Sequence, residues 1–116
     1  MAAILETKEN LTDELLQTHY YKASYEDIKN AYLNICKKLG LRLVSIDDSY
    51  SEIFAEKPHM TVLAKIIEQN PKESSIDFYI SAEYLFGNKK KARALLEDVY
   101  KELAKSFEIK GLGLHK

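Results

Sequence analysis

Hydrophobic and polar residues alternate most cleanly over 76–83, where Ile76, Phe78, Ile80 and Ala82 are interleaved with Asp77, Tyr79, Ser81 and Glu83. A period of two puts successive side chains on opposite sides of an extended chain, so this stretch is read as a strand with one wet face. Two other segments have the helical period. Ile28, Tyr32, Ile35, Cys36 and Leu39 recur at spacings of mostly three and four after Ser24, an N-cap residue with Asp27 three positions on. Lys37 and Lys38 suit the negative end of the dipole, and Gly40 is placed for a left-handed stop. A helix over 24–40 follows. After Gly87-Asn88, the stripe Ala92, Leu95, Leu96, Val99, Leu103, Ala104 and Phe107 predicts a second helix reaching Ser106.

Between the helices, branched residues over 41–46, Ile53 and Ala55 within 51–57, and the apolar stretch 60–69 predict three more strands. They are divided by Asp47-Asp48-Ser49-Tyr50 and by Pro58, and 70–74 is a polar loop. Connections this short imply an antiparallel meander, because parallel neighbours need long crossovers. Before the first helix, 15–23 mixes Thr and Tyr with rough alternation and reads as a strand. A short helix from Thr12, with Asp13 and Glu14 in its first turn, is the alternative. The expected architecture is α+β, an antiparallel sheet of four to five strands with two helices packed on one face, in the order β-α-β-β-β-β-α. Residues 1–14 are expected to be a loose N-terminal segment, 15–110 a single α+β domain and 111–116 a tail, with 107–116 able to add a short strand.

Composition fits that picture. The chain has 116 residues, 17 basic against 18 acidic side chains and a net charge of −1. Residues 1–58 hold 10 acidic and 7 basic residues, and 59–116 hold 8 and 10, an asymmetry too small to demand a nucleic acid or an acidic partner. Glu6, Lys8 and Glu9 follow the opening Met-Ala-Ala-Ile-Leu at once, leaving no secretory apolar region, and no apolar run spans a bilayer. A cytoplasmic setting without membrane contact is the expectation. One cysteine, Cys36, excludes an internal disulfide framework.

Three features carry candidate chemistry. On the 60–69 strand, Met60, Val62, Ala64 and Ile66 share one parity while Leu63 and Ile67 take the other. A sheet covered on one side should not be apolar on both, so Leu63, Ile67 and the outward Tyr79 are candidates for a partly covered face. The cover is a second copy in a homodimer, a partner protein, a bound apolar molecule or the N-terminal segment, and a slipped or bulged strand is the bland reading. Tyr is also over-used, eight of twelve aromatic residues, which favours half-buried surfaces. Tyr20, Tyr21 and Tyr79 are the first to inspect.

The second feature is the run Lys89, Lys90, Lys91 and Arg93 at the start of the last helix, a place where anions bind and cations are mildly unfavourable. It reads either as an anion or nucleic-acid contact or as a solvated face in which Arg93 and Lys101 pair with Glu97. Nucleic acid is disfavoured, because no matching basic face appears elsewhere. The third is the acidic turn Asp47, Asp48 and Glu52, which lacks the spacing and Gly of a calcium loop. His19, His59, His115 and Cys36 have no ligand-like spacing, and no catalytic motif occurs, so no metal, no cofactor and no enzyme activity are expected. The functional expectation is a non-catalytic binding or assembly module acting through the sheet face. The alternatives are an anion site at the basic helix start, or a carrier of a small apolar ligand between the sheet and the last helix.

Overall fold

A computed structural model describes residues 2–114; His115 lies outside the described residues. The chain runs β1 (Ala3–Glu6), a single 3-10 turn (Glu14–Leu16), β2 (His19–Tyr21), α1 (Tyr25–Lys38), β3 (Arg42–Asp47), β4 (Glu52–Lys57), β5 (Met60–Asn70), β6 (Glu73–Ala82), α2 (Asn88–Ser106) and β7 (Ile109–Leu112). The class is α+β with an antiparallel sheet, as expected, but among the described residues the sheet has seven strands rather than four to five. Its order is β3-β4-β5-β6-β2-β7, with β1 also on β6.

The extra strands are the two short ones at the chain ends. β1 falls in the segment expected to be loose, and β7 is the short strand that 107–116 was able to add, reaching into the expected tail; each is four residues long and too short to display a period. Pairing reveals β1: Ala3 and Leu5 sit in register with Ala82 and Ile80. The expected strand over 15–23 shrinks to His19–Tyr21. The short helix considered there exists only as the 3-10 turn, where Asp13 accepts from the Leu15 N–H at 3.1 Å. The 70–74 loop is tighter than expected, since β5 runs to Asn70 and β6 begins at Glu73.

Capping explains why α1 sits where the pattern puts it. The Ser24 hydroxyl accepts from the Asp27 N–H at 3.2 Å. At the other end Gly40 has φ +76, its N–H donates to the Lys37 carbonyl, and the Leu41 N–H donates to that of Cys36 at 2.8 Å. Those two bonds form a Schellman stop, which needs the left-handed residue that glycine supplies. Between β4 and β5, Pro58 followed by His59 at φ +68 closes a two-residue connection.

Both helices lie on one side of the sheet. Met60, Val62, Ala64 and Ile66 of β5 and Ile76, Phe78, Ile80 and Ala82 of β6 are buried there. They pack with Ile28, Tyr32 and Ile35 of α1 and Leu96, Val99 and Leu103 of α2. The apolar stripe of α2 is therefore consumed by packing against the sheet.

Strand parity sets the energetics of β5. Ile66 is fully buried, whereas its neighbour Ile67 is 45% exposed. Ile66→Ala is expected to cost about 2–5 kcal/mol and Ile67→Ala less than about 0.5 kcal/mol in urea unfolding. Equal losses would mean that the two sides of β5 are not distinguished in solution.

Candidate functional site

The helix-free side of the sheet is assembled by register. Ser45, Phe54, Leu63, Tyr79 and Glu6 form one row across β3, β4, β5, β6 and β1. The next row is Asp47, Glu52, Lys65 and Asp77. Residues directly opposite on antiparallel strands point to the same side and touch, so an apolar bar, Phe54–Leu63–Tyr79, lies beside a charged one. A groove of about 300 Å³ follows their boundary, between Leu63 and Tyr79 on one side and Glu52, Lys65 and Asp77 on the other. Phe54 and Leu63 are half-buried, and Tyr79 is 43% exposed.

Of the residues proposed from sequence, Leu63 and Tyr79 thus come together. Ile67 does not join them: it lies four residues further along β5, about 13 Å at strand rise, in a separate groove with Tyr25 and Glu68. Tyr20 and Tyr21 are not surface groups. Both are 2% exposed, Tyr21 in the helix-side core and Tyr20 beneath the N-terminal segment, where its hydroxyl donates to Glu9. Burial pushes both phenols well above their ordinary range. The chain therefore covers one corner of this side with its own residues and leaves the Phe54–Leu63–Tyr79 bar open.

Asp77 is the least ordinary group of the site. It lies where β1 has ended and β2 has not begun, and it accepts hydrogen bonds from the Thr7 hydroxyl at 2.6 Å and the Thr18 hydroxyl at 2.8 and 3.0 Å. Thr7 in turn accepts from the Phe78 N–H at 2.9 Å. Burial raises the Asp77 carboxyl above its ordinary value, while the two hydroxyls pull it back. Phe54, Lys65 and Asp77 were missed by the sequence reading. An aromatic residue on the parity opposite to Ile53 and Ala55 was the available signal for Phe54; for Asp77 there was none, because its partners lie far away in the chain.

The basic run is divided by helix geometry. With about 100° between successive residues, Lys89, Lys90 and Arg93 turn to one side and Lys91 to another. The three line a groove of about 540 Å³ with Ile4, Leu5 and Leu16. Arg93 makes a two-point pair with Asp13 at 2.7 and 3.3 Å and the expected contact to Glu97 at 3.5 Å. Lys91 sits over the Tyr84 ring at 4.2 Å, a cation–π contact.

The acidic turn is occupied by its own structure: Asp47 caps it through the Ser49 N–H, and Asp48 pairs with Lys29 at 2.8 Å. No group of three or more His, Cys, Asp or Glu side chains able to hold a metal occurs among the described residues. Cys36 is buried, and burial raises its thiol pKa. No helix among the described residues is long and apolar enough to cross a membrane. Comparison with protein families, with curated proteins and with solved structures gives no match.

His19 ties β2 to α2. Its ring stacks on Tyr100 with centroids 3.5 Å apart and planes 6° from parallel, and its Nδ1 donates to the Gln17 carbonyl at 2.8 Å. Burial lowers its pKa. A histidine depressed in the fold is protonated first in the unfolded chain, so stability falls as pH drops below about 6.5 toward the folded value. Urea midpoints between about pH 7.5 and pH 5 are expected to fall in wild type and to fall less in His19→Phe, which keeps a ring on Tyr100. Parallel curves would remove His19 from the acid response.

Proposed function

We propose that this protein is a non-catalytic binding module that receives a protein partner on the helix-free side of its sheet, at the bar formed by Phe54, Leu63 and Tyr79. The observation that carries the reading is the register that sets these three residues in one row beside Glu52, Lys65 and Asp77. An apolar centre with a polar rim is the usual anatomy of a recognition patch. Rigid strands hold all six residues, so little ordering cost accompanies docking. A cytoplasmic setting fits the lone, buried thiol of Cys36.

Replacing Tyr79 or Leu63 with a photo-crosslinking phenylalanine analogue in the producing cell is expected to give discrete adducts. The same analogue at the exposed Lys101 on α2 is expected to give none. Equal adducts from all three positions, or none from 63 and 79, would end this reading.

A second reading rests on the groove beside the start of α2. Its apolar residues Ile4, Leu5 and Leu16 and the ammonium groups of Lys89 and Lys90 suit an anion that carries an apolar portion, although Glu6 also lines the groove and Arg93 there is already paired with Asp13. Titration with laurate is expected to shift the amide signals of Ile4, Leu5 and Leu16, and Lys89→Gln with Lys90→Gln is expected to weaken that binding about tenfold. Unmoved signals would dismiss it.

A further inference from the structure

We propose that two copies of this chain pair edge to edge along β3, antiparallel about a two-fold axis between Val44 and Ser45, to make one continuous sheet. The joint lies along the outer edge of β3, at the end of the rows that carry Phe54, Leu63 and Tyr79, and does not depend on that bar binding anything.

β3 ends the strand order, so among the described residues one side of its backbone has no partner strand, and all six of its residues are exposed. Leu43, Val44 and Ile46 are 43, 42 and 38% exposed. Exposed edges are normally guarded by lysine, proline or shortness. β7, at the other end of the order, is only four residues long and carries Lys110, which pairs with Glu73. β3 is six residues long and has neither lysine nor proline.

The sequence of β3 is complementary to itself. Antiparallel pairing about the Val44–Ser45 centre sets Arg42 against the partner's Asp47, Leu43 against the partner's Ile46 and Val44 against the partner's Ser45. Each charged pair occurs twice, once at either end of the joint. Such a register requires opposed residues to point to the same side. In a regular strand Arg42 and Asp47, five apart, would point to opposite sides, and so would Leu43 and Ile46, three apart.

The bulge in β3 removes that mismatch. Leu43 pairs with Ala55 and Ser45 with Phe54, leaving Val44 as the extra residue. After this shift Leu43 and Ile46 share the side of Ala55 and Ile53, while Arg42 and Asp47 share the side of Glu56 and Glu52. The irregularity that would guard an ordinary edge here makes the self-pairing register consistent.

Both charged groups keep capacity for the second contact. Arg42 uses one terminal nitrogen on Glu56, leaving the rest of its fork free in geometry. Asp47 receives the Ser49 and Tyr50 N–H groups on the same oxygen, at 3.0 and 3.3 Å, which leaves the other. Because the axis stands perpendicular to the sheet, both copies present their helix-free sides in the same direction.

Charge reversal gives the test. Light scattering and sedimentation of the full chain, from about 1 µM to about 1 mM, are expected to show a monomer–dimer equilibrium. Arg42→Asp alone and Asp47→Arg alone place like charges at both ends of their own joints and are expected to weaken dimerisation at least tenfold. Mixing the two variants restores opposite charges at both ends and is expected to recover dimers containing one of each. Leu63→Asp is expected to leave the dimer unchanged, which separates this joint from the binding face. Slowed, concentration-dependent amide exchange within residues 42–47 of the wild type would support the joint without any variant. A strictly monomeric wild type, single variants that dimerise as well as wild type, or a mixture that recovers nothing would each overturn it.

Discussion

The Asp77 carboxyl is the side chain on which two strands that are not continuous with each other converge, beside the backbone bonds from the Lys8 N–H to the Leu16 carbonyl and from the Thr18 N–H to the Lys8 carbonyl. β6 is paired with β5 along nearly its whole length, but its other edge is shared by β1 toward one end and β2 toward the other. Where they meet, the backbone ladder is interrupted. The interruption is mended by side chains: the Thr7 and Thr18 hydroxyls both donate to Asp77, and Thr7 also takes up the Phe78 N–H. A buried backbone donor left unpaired would cost about 1–3 kcal/mol, so the mend is a requirement of the topology rather than an ornament of it. It also fixes the groove, because Asp77 closes the charged row beside Leu63 and Tyr79.

From that constraint follows the unequal treatment of the two sides of the sheet. Helix-side positions of β4, β5 and β6 are buried under α1 and α2. Among the described residues, the N-terminal segment is what covers the other side, and that segment is held close to Asp77 and Tyr20. It therefore shelters a corner and leaves Phe54 and Leu63 half-buried and Tyr79 exposed on the middle strands. The open bar is a consequence of how short the first strands are and where they must sit.

Elements whose signals are local were legible in the sequence. Ser24, Gly40 and the stripe from Ile28 to Leu39 define α1 because caps and helical spacing act within a few residues. The alternation over 76–83 marks β6 for the same reason, and the parity of Leu63 and Tyr79 was enough to place both on one side. What failed depends on partners distant in the chain. β1 has four residues and is a strand only because β6 accepts it, whereas β7, the short strand that 107–116 was expected to be able to add, pairs with β2. Tyr20 and Tyr21 looked like surface tyrosines because nothing local shows what lies above them. The joining of Phe54 with Leu63, and of Lys65 with Asp77, required the register, which no single strand specifies. Ile67 was grouped with Leu63 by parity alone, and distance along the strand separated them.

The pairing of β1 with β6 also bears on how the chain is made. β3, β4 and β5 can zip as neighbouring hairpins as soon as each leaves the ribosome. The strands synthesised before them cannot, since the edge they need lies in β6. At translation speeds of about 5–20 residues per second, β1 and β2 wait on the order of 3–15 seconds for that edge to emerge. Contacts of such long range are also the slow ones to close in refolding. β1 and β2 thus leave the ribosome well before the strand that receives them and are among the last elements to find their place.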